Sequence, residues 1–168
     1  MHGDHDNRRP GQRRIGGLLL LRNQAGDPLL VKPGYRAAWW SWQLVGGGAR
    51  PGETADQAAL REGVEETGLT DLTVGPLLVV DYIPANPASG AAEGYNFVYD
   101  GGVLPNGTTI NLPPATEGQP RELTDWAFIT RQQLSDYCND IQGRRIAQAL
   151  DVLAHPTHQR FLREGQPV

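Results

Sequence analysis

Six carboxylates crowd into the nineteen positions from Glu53 to Asp71: Glu53, Asp56, Glu62, Glu65, Glu66 and Asp71, against a single base, Arg61. Like charges at this density repel one another unless a cation binds among them. On a helix turning about 100° per residue, Glu62 and Glu66 lie about 40° apart and Glu65 about 60° to the side of Glu62, so three carboxylates converge on one strip. A solvated face is the ordinary reading of an acidic run. An ordinary surface helix, however, alternates signs to gain i,i+4 pairs. Here a glycine-rich turn, Gly46-Gly47-Gly48, also leads toward the helix, so that backbone carbonyls can join the carboxylates. Hard oxygen donors of that kind suit Mg²⁺ or Mn²⁺.

The helix that must carry these acids spans Thr54 to Thr67. Thr54 and Gln57 have capping-box spacing, Glu53 sits beside the positive end of the dipole, and Gly68 supplies the C-terminal stop. Leu60 and Val64 are expected to face the core, with Ala55, Ala58 and Ala59 on the acidic side leaving open space before it. Gly63 costs about 1 kcal/mol in a helix interior relative to alanine, which close packing against a neighbouring element would explain.

Around this helix the pattern is strand-rich. Ile15 to Leu21 reads as a buried strand, and Leu29 to Val31 as a second that forms a hairpin with it through the turn Asn23–Asp27. Lys32 to Ala38 reads as a loop and Trp39 to Val45 as an aromatic, apolar segment. Further strands are expected at Leu72–Val80, Tyr95–Tyr99 (turned by Asp100-Gly101-Gly102) and Leu123–Ile129. Pro105 to Gly118 is a long loop of a kind that is often functional. A short helix at Arg131–Tyr137 and a longer one at Ile141–Leu153, with Ile146, Ala149, Leu150 and Leu153 on one stripe, complete an α/β layered domain.

The whole chain bounds these readings. At 168 residues it is one ordinary domain, with residues 1–12 expected as a disordered tail, 13–155 as the folded unit and 156–168 as a C-terminal tail. A formal charge of −4 argues against a nucleic-acid polymer as partner. No apolar run is long enough to span a membrane, and no signal-peptide core follows the charged N-terminus. The single cysteine, Cys138, excludes an intrachain disulfide framework and fits a reducing compartment, so a cytoplasmic location is expected. His155 and His158 with Cys138 are too few to build a structural zinc site.

Gly47, Glu53 and the run Arg61-Glu62-Gly63-Val64-Glu65-Glu66-Thr67-Gly68-Leu69 resemble the Nudix box, Gly-x5-Glu-x7-Arg-Glu-U-x-Glu-Glu-x-Gly-U with U aliphatic. Every fixed position matches; Leu69 fits its aliphatic position and Gly63 does not. Val45 stands where many members carry proline. The resemblance implies an α/β/α sandwich with a central mixed sheet and the box as a loop-helix-loop. By the same resemblance Glu62 and Glu66 are the main metal ligands, with Glu65 and the Gly46 carbonyl as additional ones, and Glu53 and Arg61 form a structural salt bridge. The implied cofactor is Mg²⁺, with Mn²⁺ as substitute.

The implied reaction is hydrolysis of a nucleoside diphosphate linked to another moiety, of ADP-ribose or nucleotide-sugar type, or of a nucleoside triphosphate. Glu62 is the box candidate for the base, Glu65 shares the catalytic cluster, and a downstream acid is the other candidate. Glu122 in Arg121-Glu122-Leu123 and Glu117 in Thr116-Glu117-Gly118 both remain open, with Glu122 favoured. Lys32, Tyr35, Arg36 and Arg50 flank the glycine-rich turn and could contact phosphates, and Trp39 and Trp40 could stack on a base. Pro84, fifteen residues after Leu69, resembles a proline that members acting on ADP-ribose often carry. A non-nucleotide diphosphate such as a prenyl or inositol compound, and a module that senses a nucleotide without cleaving it, are the alternatives. Many relatives are dimers, so a homodimer is the default.

Overall fold

The run Gly16-Gly17-Leu18-Leu19-Leu20-Leu21 makes the central strand. In the computed structural model, which describes residues 11–34, 41–115, 118 and 121–168, β1 spans Arg14–Arg22. Its leucines alternate between two cores: Leu18 and Leu20 face one hydrophobic cluster, Leu19 and Leu21 the other. A strand apolar on both faces must be covered on both sides. The other strands are β2 (Leu29–Pro33), β3 (Gln43–Gly48), β4 (Leu77–Ile83), β5 (Gly94–Val103), β6 (Leu123–Phe128), β7 (Phe161–Arg163) and β8 (Gln166–Pro167), in the sheet order β6-β2-β3-β1-β5-β4-β7-β8. The sheet is mixed, with β1–β5 and β4–β7 parallel and the remaining pairs antiparallel.

Helix α1 (Ala55–Thr67) covers one face. The short α2 (Leu134–Tyr137) and the longer α3 (Asp140–Ala154) cover the other, where Ile146, Ala149 and Val152 pack on Leu18, Leu20 and Val98. The result is the expected α/β/α sandwich. The ends of α1 follow the sequence closely: Thr54 and Gln57 form the reciprocal capping box, and Gly68 closes the helix at φ 70°.

Four local expectations are corrected. First, β1 and β2 do not pair along a ladder. A turn closes at Asn23–Asp27 and one bridge joins Arg22 to Pro28, but β3 inserts between the two strands. Second, β5 does not turn at Asp100. It runs on to Val103, with Asp100 accepting from Arg22 Nη2 at 2.8 Å and Gly102 at φ 82° absorbing a shift in register. Third, residues 156–168 do not form a tail: β7 pairs with β4 and β8 with β7.

The fourth correction concerns the face of α1. Ala55, Ala58, Ala59 and Gly63 turn inward, whereas Leu60 is exposed and Val64 half-buried. The reason is proximity to β1. A methyl group at Gly17 would lie 1.9 Å from the Ala55 carbonyl oxygen, and one at Gly63 would lie 2.8 Å from Leu19. Only small residues fit between backbones this close. Glu66, next on the same face after Ala59 and Gly63, is carried inward with them.

Candidate active site

The inward turn of α1 sets the carboxylates against the end of β3. Glu66 is buried, and its Oε2 accepts a hydrogen bond from the Gly46 N–H at 2.7 Å. Burial, opposed by that bond and reinforced by the charges of Glu62, Glu122 and Glu65, pushes its pKa up to about 8. Gly46 must be glycine: its φ is 132°, and a side chain would collide with the Gly17 carbonyl. Gly47 is glycine for a second reason. A methyl group there would lie 2.6 to 2.9 Å from the Glu62 carboxylate.

Arg61 holds this arrangement together. Its Nε and Nη2 bind the two oxygens of Glu53 at 2.8 and 2.9 Å, Nη2 reaches the Gly48 carbonyl at 3.0 Å, and Nη1 binds Glu62 at 2.6 Å. The bidentate pair ties the loop before α1 to the second turn of the helix. It holds the Glu53 carboxyl down at about 2, helped by the Arg50 N–H. Glu65 is more exposed and meets Arg61 at 3.1 Å and Arg50 at 3.4 Å.

Glu62, Glu66 and Glu122 line one small cavity with Gly46, Gly47 and Gly48. Glu122 comes from the residue before β6, whose carbonyl accepts from the Gly34 N–H at 2.8 Å. Glu117, Tyr35, Arg36, Trp39 and Trp40 lie outside the described residues. Arg50 is surface-exposed, its pair with Glu65 being of the weak kind. Lys32 lies on β2 beside Asp125, and its neighbour Pro33, not Lys32, lines the carboxylate cavity. Trp42 is buried edge-on against Tyr137.

Among the described residues no three His, Cys, Asp or Glu side chains stand together within one coordination sphere. Glu62 is turned to Arg61, which competes with a cation for it. The donor set nonetheless fits a hard divalent ion: carboxylates sharing one cavity, Glu66 raised first by burial and further by the neighbouring carboxylates, and a glycine at 47 that leaves space for the Glu62 carboxylate. His155 and His158 stack on each other at the surface, away from the buried Cys138.

A second, larger cavity shares Gln43 and the Gly46–Gly48 run with the first and extends toward α3, Pro84 and Asn96. Sequence reasoning did not single out Asn96, nor the buried pair Arg145–Asp81 at 2.7 Å behind it. The glycine pair inside a strand, Gly16-Gly17, was the available signal, because glycine there marks a close approach.

A NUDIX domain family model matches residues 12–150. A Bacillus subtilis (strain 168) protein, provisionally named an 8-oxo-dGTP diphosphatase, is 43% identical over 53 residues, 32% of this chain and 34% of the relative; the chain thus matches about a third of that protein's length. The fold is similar to a MutT protein from Methanosarcina mazei Go1, with TM-score 0.66 and 20% identity over 85% of this chain and 96% of that one. It is also similar to a C. elegans Ap4A hydrolase (0.63, 21%, 84% and 98%). The NUDIX domain of Shewanella oneidensis NrtR, solved with ADP ribose, gives 0.66 at 16% over 89% and 94%.

Proposed function

The chain belongs to the NUDIX domain family, and from that premise we propose that it is a Mg²⁺-dependent pyrophosphohydrolase cleaving a nucleoside diphosphate linked to another moiety. The observation that carries this reading is the carboxylate cavity beside the glycine turn, which Glu62, Glu66 and Glu122 line together. Glu62, Glu66 and the more exposed Glu65 would hold the divalent ion, with the Gly46 carbonyl as a further oxygen. It would neutralise the diphosphate and lower the pKa of the attacking water.

The chain's own groups do the rest. Glu62 or Glu122 would accept the proton of the attacking water, whose oxygen forms a bond to one phosphorus as the bridging P–O bond breaks. The products are two phosphate monoesters. Glu53 and Arg61 take no part in the chemical step; they hold the loop to the helix so that Glu62 keeps its place.

The test is incubation of the protein and Mg²⁺ with ADP-ribose, nucleotide sugars, dinucleoside polyphosphates and nucleoside triphosphates. Phosphate-bearing products are expected from at least one compound and should vanish in Glu66→Gln. No turnover by folded, metal-bound protein would reject the reading. The likeness to a NUDIX domain solved with ADP ribose keeps a sensing module as the second reading: calorimetric binding without product after hours would select it. The working assembly is a homodimer, which a light-scattering mass of 18.3 kDa would exclude. The working location is the cytoplasm; no helix among the described residues is long and apolar enough to cross a membrane.

A further inference from the structure

Helix α1 covers only part of its side of the sheet. The odd-numbered residues of β1 point to that side, Gly17 against Ala55 and Leu19 into the cluster that holds Ala59. Directly opposed residues of neighbouring strands share a face. The register therefore gives two rows running from β1 through β5 and β4 to β7: Ile15, Tyr95, Tyr82, Arg163 and Gly17, Phe97, Val80, Phe161. None of the six apolar and aromatic members of these rows belongs to either core cluster. Ile15 and Phe161 are, with Leu60, three of the five exposed large apolar side chains among the described residues. The rings meet one another: the Tyr95 centroid lies 5.3 Å from that of Tyr82 and 6.4 Å from that of Phe161. At the rim the Tyr82 hydroxyl donates to Glu93 at 2.7 Å, and Glu93 pairs with Arg13 at 2.8 Å. An aromatic centre within a polar rim is the composition of a protein interface.

The two sides of this face differ in a way that selects its occupant. Glu62 turns toward β3, where it meets Gly47. Leu60 lies about 160° from Glu62 around the helix, and Asp56 shares its flank one turn earlier, so both turn toward β5. Tyr99 of β5 feels that charge: burial first, and Asp56 next, raise its pKa. Among the described residues neither Asp56 nor Arg163 is in an ion pair. The α1 side thus carries an unpaired acid with an exposed leucine, and the β7 side an unpaired base with an exposed phenylalanine. A half-turn about an axis parallel to the strands exchanges the two sides. It sets Arg163 against Asp56 and Phe161 toward Leu60. The heights also agree: a helix is about 10–12 Å across and stacked sheets lie about 10 Å apart, so a second sheet fits level with α1. Residues 1–10 offer Met1 as their only large apolar side chain, too little to cover six. The acids of α1 repel the phosphates of a lipid surface or a nucleic acid.

We propose that this aromatic face is the interface with a second copy of the chain, the two sheets stacked about a two-fold axis along the strands, with Arg163 of each copy against the partner's Asp56. Such an interface is isologous, each contact occurring twice. The inference deepens the working homodimer by naming its surface, and it does not depend on the hydrolase reading.

The test is light scattering of the full chain over a dilution series, with an amide NMR spectrum to confirm that each variant is folded. The wild type is expected at twice 18.3 kDa. Arg163→Glu, which opposes two acids, and Phe161→Glu, which puts a charge among the rings, are each expected to raise the dimer dissociation constant roughly tenfold or more. Asp56→Arg combined with Arg163→Glu should return it to within a few-fold of the wild type, which a merely structural arginine would not do. Should Phe161→Glu not fold, the charge exchange decides. A dimer indifferent to all three variants overturns this face and leaves the homodimer standing. A dimer weakened by Arg163→Glu but not restored by the exchange overturns the two-fold arrangement. A wild type that stays monomeric overturns both, and one that dimerises only after removal of residues 1–10 assigns the face to that segment instead.

Discussion

Gly47 and Glu53 show how much single residues carry here without touching a substrate. A side chain at Gly47 occupies the space of the Glu62 carboxylate. Gly47→Ala is expected to lower turnover by roughly a hundredfold, the scale of loss that follows displacement of a reacting group by about 1 Å. Its Tm should barely move, because only the end of the Glu62 side chain must shift; steady-state kinetics beside thermal denaturation checks this. Glu53 makes a prediction in pH. Its carboxyl is held at about 2 against an ordinary 4.5, by the Arg61 guanidinium first and the Arg50 N–H second. A depressed carboxylate contributes stability that is fully present above the unfolded value and is lost as pH falls through the folded one. Acid unfolding followed between pH 5 and pH 2 should therefore be less steep in Glu53→Gln, which is already weaker at pH 7.

The next scale is the packing of α1 on the sheet. The helix ends were readable from the chain because caps are local: Thr54, Gln57 and Gly68 each satisfy backbone groups within one turn. Which face turned inward was not readable. Leu60 and Val64 are the most hydrophobic residues of the helix middle, and burial of the largest apolar groups is the ordinary rule. That rule fails because β1 offers Gly17 and bare backbone at this point, and the distance leaves room for alanine and glycine only. The close approach brings Glu66 to the Gly46 N–H. Gly17→Ala, whose methyl would meet the Ala55 carbonyl oxygen at 1.9 Å, is expected to cost about 3 kcal/mol or more, or to prevent folding. Urea denaturation measures the loss, and Gly48→Ala, whose methyl meets nothing within 4 Å, is the control.

Across the whole molecule, one buried ion pair joins three elements distant in the chain. Arg145 of α3 binds Asp81 of β4, and the other Asp81 oxygen accepts from Gly165, between β7 and β8, at 3.0 Å. Burial lowers the Arg145 pKa, and the Asp81 carboxylate offsets this in part. Removing one partner leaves a charge uncompensated in the interior. Arg145→Met is expected to cost about 3–5 kcal/mol, and the double variant Asp81→Leu with Arg145→Met to recover much of that loss, by denaturant titration. With the pairing of β7 to β4 and of β8 to β7, the Asp81 contact to Gly165 joins residues 156–168 to the sheet, where a C-terminal tail was expected.

Spacing along the chain was enough to identify the acidic helix, its caps, the family of the box and the layered α/β class, because each depends on residues within a few turns of one another. The insertion of β3 between β1 and β2, the inward face of α1 and the joining of β7 and β8 to the sheet depended on contacts between distant segments. Those are decided by how closely backbones can approach, and a glycine discloses that distance only when the neighbour it makes room for is in place.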